Sequence, residues 1–384
     1  MTAQLVDADT DSHVWAEKYS GSIDDVFAIQ EEISRKIVKA LQVKLTDTES
    51  RAVAERPIDN AAAYECYLQA RHEMFRFTPE SLDRAERLVD AALELMGENA
   101  LLLATRGMVS WYFVNFSIRP EERYLDEAAS FAVRALKQDP NAFLGVFVRG
   151  LVAAKRGDLE AAVRDMRTAH ELNPGDASVV MELARHLFSA GREHNDAGRL
   201  MELSIRADPL NPLNWAQRAW LHCGAGRLVE AKYATERALQ LSERTNPARV
   251  YAAYALVLAG RRAEATAEFE GIAAAMGTSV YGSLSAFLAA AMRGEKDKAT
   301  AHVTPQLLQS ARWVEYLSWF LADGYALIGR HDDALGWLRQ SVELGCINYP
   351  VLSKLDPLLE SLRGDAEYKQ LMEQVHRRWQ VFDA

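Results

Sequence analysis

The chain has 384 residues, 49% of them hydrophobic and 26% charged, the balance of a globular protein long enough for two or three domains. Its 44 Lys and Arg against 54 Asp and Glu leave a net charge of −10, which excludes sequence-independent affinity for nucleic-acid phosphates or an anionic membrane surface and makes basic partners the easier match. Cys66, Cys223 and Cys346 are odd in number and far apart, so a disulfide framework and a zinc-ligand spacing are excluded, and a reducing compartment with buried, inert thiols is expected.

At the N-terminus, "AQLVDA" and "VWAEKYS" alternate apolar and polar residues as half-buried strands do, about 2 to 7 and 14 to 20, with the turn-rich "DTDSH" between them. Acidic residues stand where a signal peptide needs a cationic end, and the longest apolar run, "YAAYALVLA" at 251–259, is half a membrane span, so the expectation is a cytoplasmic chain without a membrane partner. Asp7, Asp9 and Asp11 are spaced like the first ligands of a calcium loop. Ser12 and Lys18 stand where that loop needs Gly and Glu, so a solvated hairpin turn is expected. The following "DDVFAIQEEISRKIVKALQVKL" places Val26, Phe27, Ile29, Ile33, Ile37 and Leu41 on one helical face.

From residue 61 a repeat takes over. Aligned on the alanine after each turn, the anchors are Ala128, Ala162, Ala197, Ala231, Ala265, Ala299 and Ala334, at spacings of 34, 35, 34, 34, 34 and 35. Gly157, Gly226, Gly260, Gly294 and Gly329 stand five residues before their anchors and Gly191 six before, where a left-handed residue ends one helix before the next begins. Pro140, Pro174 and Pro209 close units twelve residues after an anchor. Each period holds two helices of about 13 residues, and small residues recur where they cross: Gly150 with Ala162 and Ala169, Ala219 with Ala231 and Ala238. An earlier unit fits around Ala85 and Ala92. The step of 43 from Ala85 to Ala128 requires about nine extra residues, roughly "SIRPEERYL", in the second unit. Pro305 should break the second helix of the seventh, and Asn195 and Asp196 fall in a loosened turn of the fourth.

This pattern resembles the tetratricopeptide repeat (TPR) family, whose units are 34-residue helix pairs with small residues at the crossing and a closing proline. The resemblance implies an all-α fold, a right-handed α-α superhelix of about eight helix pairs, over residues 61–345. Residues 346–384 are expected as capping helices, in which Leu358, Leu359, Leu362, Tyr368, Leu371 and Val375 cover the last repeat. The N-terminal "AQLVDADTDSHVWAEKYS" with "DVFAIQEEI" is similar to the closing segment of a TolB-like α/β region that precedes TPR arrays in bacterial class III adenylate or guanylate cyclases, kinases and winged-helix regulators. Residues 1–56 are therefore expected as a small α/β fragment that starts in mid-domain and either pairs with a second copy, giving a homodimer, or docks on the first repeats.

No HExxH, GxSxG or GxxxxGK[ST] occurs, so neither a catalytic site nor a metal or other cofactor is expected. What remains is surface. By the family's analogy the first helices line a concave groove, and Phe147, Leu151, Met181, Arg185, Phe188, Trp220, Tyr254, Tyr281, Leu288, Tyr316 and Trp319 would face it. Aromatics with one arginine suit an extended, largely apolar peptide of a protein partner. The same residues at the same spacing also suit core between repeats.

Overall fold

The computed structural model describes residues 2–7, 11–20, 26–40, 57–74, 76, 78–192, 197–242 and 248–383. It divides into two compact units, Met1–Arg106 and Gly107–Ala384. Part of the calcium-like loop, Asn195 and Asp196, Leu41, and the side chains of Val26 and Phe27 lie outside what is described.

In the first unit, β1 (Thr2–Asp7) and β2 (Ser12–Lys18) form an antiparallel two-stranded sheet with an irregularity between Leu5 and Val6. Helix α1 (Val26–Ala40) is tied to β2 by Lys36, whose ammonium reaches Glu17 at 2.5 Å and Glu32 at 2.6 Å. Helices α2 (Ala61–Met74) and α3 (Pro79–Met96) are the first repeat pair. Thr78 and Ser81 cap α3 reciprocally, and Pro79 sits in its first turn, where a missing N–H costs nothing. Ile58, Ala63, Tyr67, Ala92 and Leu102 make a shared core.

The repeat continues as α4 (Ala100–Asn115) with α5 (Glu122–Gln138), α6 (Phe143–Lys155) with α7 (Leu159–Leu172), α8 (Ala177–Ser189) with α9 (Gly198–Ala207), and α10 (Pro212–Gly224) with α11 (Leu228–Leu241). Then follow α12 (Ala248–Leu258) with α13 (Arg262–Met276), α14 (Val280–Met292) with the broken α15 (Lys296–Ala301) and α16 (Pro305–Ala311), and α17 (Glu315–Leu327) with α18 (His331–Glu343). The fold is all-α, successive helix pairs at the repeat's period, with a small N-terminal strand-bearing fragment. The break falls at Pro305, whose ring starts α16 under the Thr304 cap.

Gly157, Gly191, Gly226, Gly260, Gly294 and Gly329 all take the left-handed conformation, with φ between 66° and 80°. The residue after each donates its N–H five residues back, as Arg227 does to His222 O at 2.8 Å and Arg261 to Leu256 O at 2.8 Å, the closure that a left-handed residue permits. The crossings are tight at the small residues: a Cβ on Gly150 would lie 3.1 Å from Ala162 O and 3.0 Å from Asp165 Cβ. The extra residues of the second unit do not form one loop. A turn at 116–121 takes part of them and the stretch "ERYL" becomes the first turn of α5, which grows to 17 residues.

After α18 the chain runs through two short turns of helix, Val351–Leu355 and Pro357–Leu362, into α19 (Ala366–Val381). The six apolar residues assigned to the cap are all buried, and the cap covers more than the last repeat. It reaches back to the end of α8: Ile347 N–H donates to Ser189 O at 2.8 Å, Asn348 Nδ2 to Phe188 O at 2.7 Å, and Arg192 to Trp379 O and Phe382 O at 2.6 and 2.9 Å. Among the described residues no helix is long and apolar enough to cross a membrane.

Candidate functional site

Nine of the eleven residues expected to face an open groove are buried instead, and aromatic residues among them pack on one another. Trp220, on α10, touches Phe188 (ring centroids 5.5 Å apart), Tyr254 (5.6 Å) and Trp319 (5.8 Å), which belong to α8, α12 and α17. Tyr281 and Tyr316 share a hydrogen bond of 2.9 Å between their hydroxyls. Arg185 is joined to this group through Glu315. Leu151, Phe147 and Leu288 are buried as well, and only Met181 and Arg185 keep intermediate exposure. The open peptide groove is therefore corrected: the interior is covered by its own far wall and by the cap. Burying these rings together stabilises the unit more than leaving a hydrated apolar cleft would.

Around Arg185, charged residues that the periodicity does not single out sit within the same interior. Arg185 binds Glu182 through Nε and Nη2 at 2.9 and 2.8 Å, and Glu315 through Nη1. Burial works against both charges. Even so, Glu182 and Glu315 hold the guanidinium above its usual value, and Arg185 and Lys155 hold the Glu315 carboxyl down at about 2. Arg185 Nη2 also lies 3.0 Å from His186 Nε2, and His186 Nδ1 lies 2.7 Å from Glu182 O. A guanidinium can only donate and a carbonyl can only accept, so His186 is the neutral tautomer with its proton on Nδ1. Burial and then Arg185 lower its pKa to about 4. Lys155, 4% exposed, lies over the Trp111 ring at 5.7 Å, and burial above all lowers its pKa to about 8.

A second polar cluster joins three elements. Tyr254 OH contacts Asp323 Oδ2 of α17 and Asp356 Oδ2 of the cap, the latter at 2.6 Å, and Trp319 Nε1 donates to Asp356 Oδ2 at 2.7 Å. The sequence did carry a signal for Asp323. Trp220, Tyr254 and Leu288 follow one another at 34 residues and Asp323 comes 35 later, so a carboxylate occupies an interior position of the repeat, inside the apolar run "LSWFLADGYAL". Glu315 begins the same helix and Lys155 ends α6, both at polar-tolerant helix ends, which hides them from a pattern search.

Two small cavities lie beside these charges. One cavity, of about 20 Å³, lies among Arg185, Gln217, Trp220, Tyr316, Trp319 and Cys346, and another, of about 10 Å³, lies among Trp111, Lys155, His186, Glu315 and Leu344. Each is of the size of a single water, which needs roughly 10 to 15 Å³ on this measure. No group of three or more His, Cys, Asp or Glu among the described residues could hold a metal. In the first unit a cleft of about 680 Å³ is open between α2 and α3, with Leu68, His72, Glu73, Arg84, Arg87 and Leu88 on its walls.

No family model matches the chain. Over 95 residues it is 36% identical to a putative adenylate cyclase 3 of Rhizobium meliloti (strain 1021), a stretch that takes in 25% of this chain and 16% of the relative's length. Among solved structures it is similar to a tetratricopeptide repeat protein from Parabacteroides merdae (14% identity, TM-score 0.45, 72% of this chain and 99% of the other). It is also similar to a thermophilic TPR protein from Thermus thermophilus (19% identity, TM-score 0.40, 51% and 99%) and to MamA (17% identity, TM-score 0.33, 48% and 93%).

Proposed function

We propose that this chain is a non-catalytic protein-interaction module, the regulatory or scaffolding part of a bacterial signalling protein acting in the cytoplasm. The observation that carries this reading is the use made of its reactive groups. The interior charges are spent on one another across elements far apart in sequence, and the cavities beside them are of water size, so the array is organised to hold a shape. The stretch similar to a putative adenylate cyclase supports the signalling context. With the interior closed, a protein partner meets the outer surfaces, and the cleft between α2 and α3 is a concave surface within its reach. The chain, immobilised, should retain a partner from a bacterial lysate that the Arg84→Glu, Arg87→Glu double variant does not retain. Equal retention by both chains, or none by either, would overturn the cleft assignment.

A second reading is a structural module that holds copies of a larger enzyme, such as an adenylate cyclase, together. It is favoured by the hairpin β1–β2, which among the described residues has no third strand, and an isolated two-stranded sheet is marginal in water. Sedimentation of the full chain and of a version starting at Asn60 checks it: a dimer that becomes a monomer on shortening is the expected result, and two monomers would sink self-pairing.

A further inference from the structure

The Tyr254 cluster cannot be built from two ionised carboxylates. Tyr254 has one hydroxyl proton, yet its oxygen lies within hydrogen-bond distance of both Asp323 Oδ2 and Asp356 Oδ2. Asp356 has what an ionised carboxylate needs: Leu358 N–H at 2.9 Å on Oδ1, and Trp319 Nε1 and Tyr254 OH on Oδ2. Asp323 has nothing comparable. Its Oδ1 has no hydrogen-bond partner among the described residues, its Oδ2 meets the Tyr254 hydroxyl and the neighbouring Asp356 carboxyl, which as an anion can only accept, and both aspartates are 0% exposed. A carboxylate left bare in such a place is strongly disfavoured against the neutral acid. The proton order follows from donor and acceptor chemistry: Asp323 Oδ2–H donates to Tyr254 O, and Tyr254 O–H donates to Asp356 Oδ2.

We propose that Asp323 is a neutral carboxylic acid in the folded chain and that its proton is the latch that holds the C-terminal cap over the interior of the array. The latch joins α12, α17 and the cap through one relay. When the proton leaves to a solvent base, two anions face the tyrosine and the cap is pushed off. The other ionisable groups near the pair belong to the C-terminal segment. On the cap are Arg363, which donates to Asp356 O at 3.0 Å and to Lys354 O at 2.7 Å and so is directed at carbonyls, and Tyr368, whose hydroxyl donates to Leu352 O at 2.6 Å. The Cys346 thiol is buried nearby. None of these donates to Asp323. Burial first, and then the neighbouring Asp356, raise the Asp323 pKa well above the usual carboxylate range. Its folded value exceeds its unfolded one, so the latch is fully made at low pH and weakens as pH rises from the ordinary carboxylate range towards the raised value.

The Cys346 thiol, buried between α18 and the cap, reports the opening. Its labelling by a maleimide in the native full chain, divided by that in Asp323→Asn at the same pH, should climb as pH rises above neutrality, by roughly tenfold per pH unit until the raised value is reached, the slope of a one-proton linkage. Asn replaces the neutral acid in shape and can still donate to Tyr254 O, so this variant should keep its cap closed throughout. Cys66, half-buried on α2, serves as the control thiol in both chains. Should Asp323→Asn fail to fold, infrared spectra of the native chain in heavy water decide the matter without it. A protonated-carboxyl band at neutral pH, lost in step with Cys346 labelling, is the expected result. A ratio flat with pH, or a neutral-pH spectrum without that band, would overturn the proposal.

Discussion

His186 shows how one side chain inside the array couples its surroundings to pH. With Nδ1–H given to Glu182 O and Nε2 facing the Arg185 guanidinium, there is no room for a second ring proton. The folded pKa of about 4 lies below the ordinary 6.5, so the unfolded chain takes up the proton first, and stability falls as pH drops from about 6.5 to about 4. A shift of that size corresponds to about 3 kcal/mol. His222 adds to the same fall: burial first, and then the Arg227 and Arg218 guanidinium groups beside its ring, lower its pKa to about 4 as well. Denaturant melts across this window should therefore show a shallower decline for His186→Gln than for the native chain; identical slopes would contradict the assigned tautomer. Trp220 makes the packing argument. It contacts five aromatic rings and donates Nε1 to Tyr251 O at 2.6 Å, so Trp220→Ala should cost roughly 3 to 5 kcal/mol of folding free energy. A ligand-facing tryptophan would cost far less, and the melt distinguishes the two.

Turns that read alike in sequence differ once the elements are packed. Gly157 and Gly226 both end a first helix, with φ of 80° and 71°, and a Cβ at Gly226 would meet nothing within 4 Å. At Gly157 the same atom would lie 2.1 Å from Glu343 O, at the end of α18. Gly226→Ala should thus cost only the strain of a left-handed residue, about 1 to 2 kcal/mol. Gly157→Ala should cost clearly more, because the turn after α6 must also part from the end of α18; equal losses in chemical denaturation would refute that contact. Here lies the limit of what the sequence discloses. The glycine spacing, the crossing alanines and the break at Pro305 are local consequences of backbone geometry, so they were legible. The approach of Glu343 to Gly157 depends on the small rotation between successive pairs summed along the array, and no residue pattern states that sum. For the same reason eleven residues could be put forward for one face of the repeats, but not that nine of them would be buried.

An open solenoid is held by neighbours only, and its stability is close to a sum over adjacent units. The second unit departs from this because its ends meet. The cap bonds to α8 through Ile347, Asn348 and Arg192, stacks the Arg192 guanidinium 5.4 Å from the Trp379 ring, and reaches α12 and α17 through Asp356. Had the cap only covered the eighth pair, its removal would loosen α17 and α18 and leave the fourth pair unchanged. With these bonds in place, a chain ending at Gly345 should lose hydrogen-exchange protection at two places distant in sequence, α17–α18 and the C-terminal half of α8, while α13, which takes no bond from the cap among the described residues, stays protected for longer. The apolar faces of Trp220, Tyr254 and Trp319 would then be reached by water, so the shortened chain should also bind a hydrophobic dye that the full chain does not. Protection lost from α17–α18 alone would mean that the fourth pair is held by its neighbours, and the ring-like closure would carry no stability.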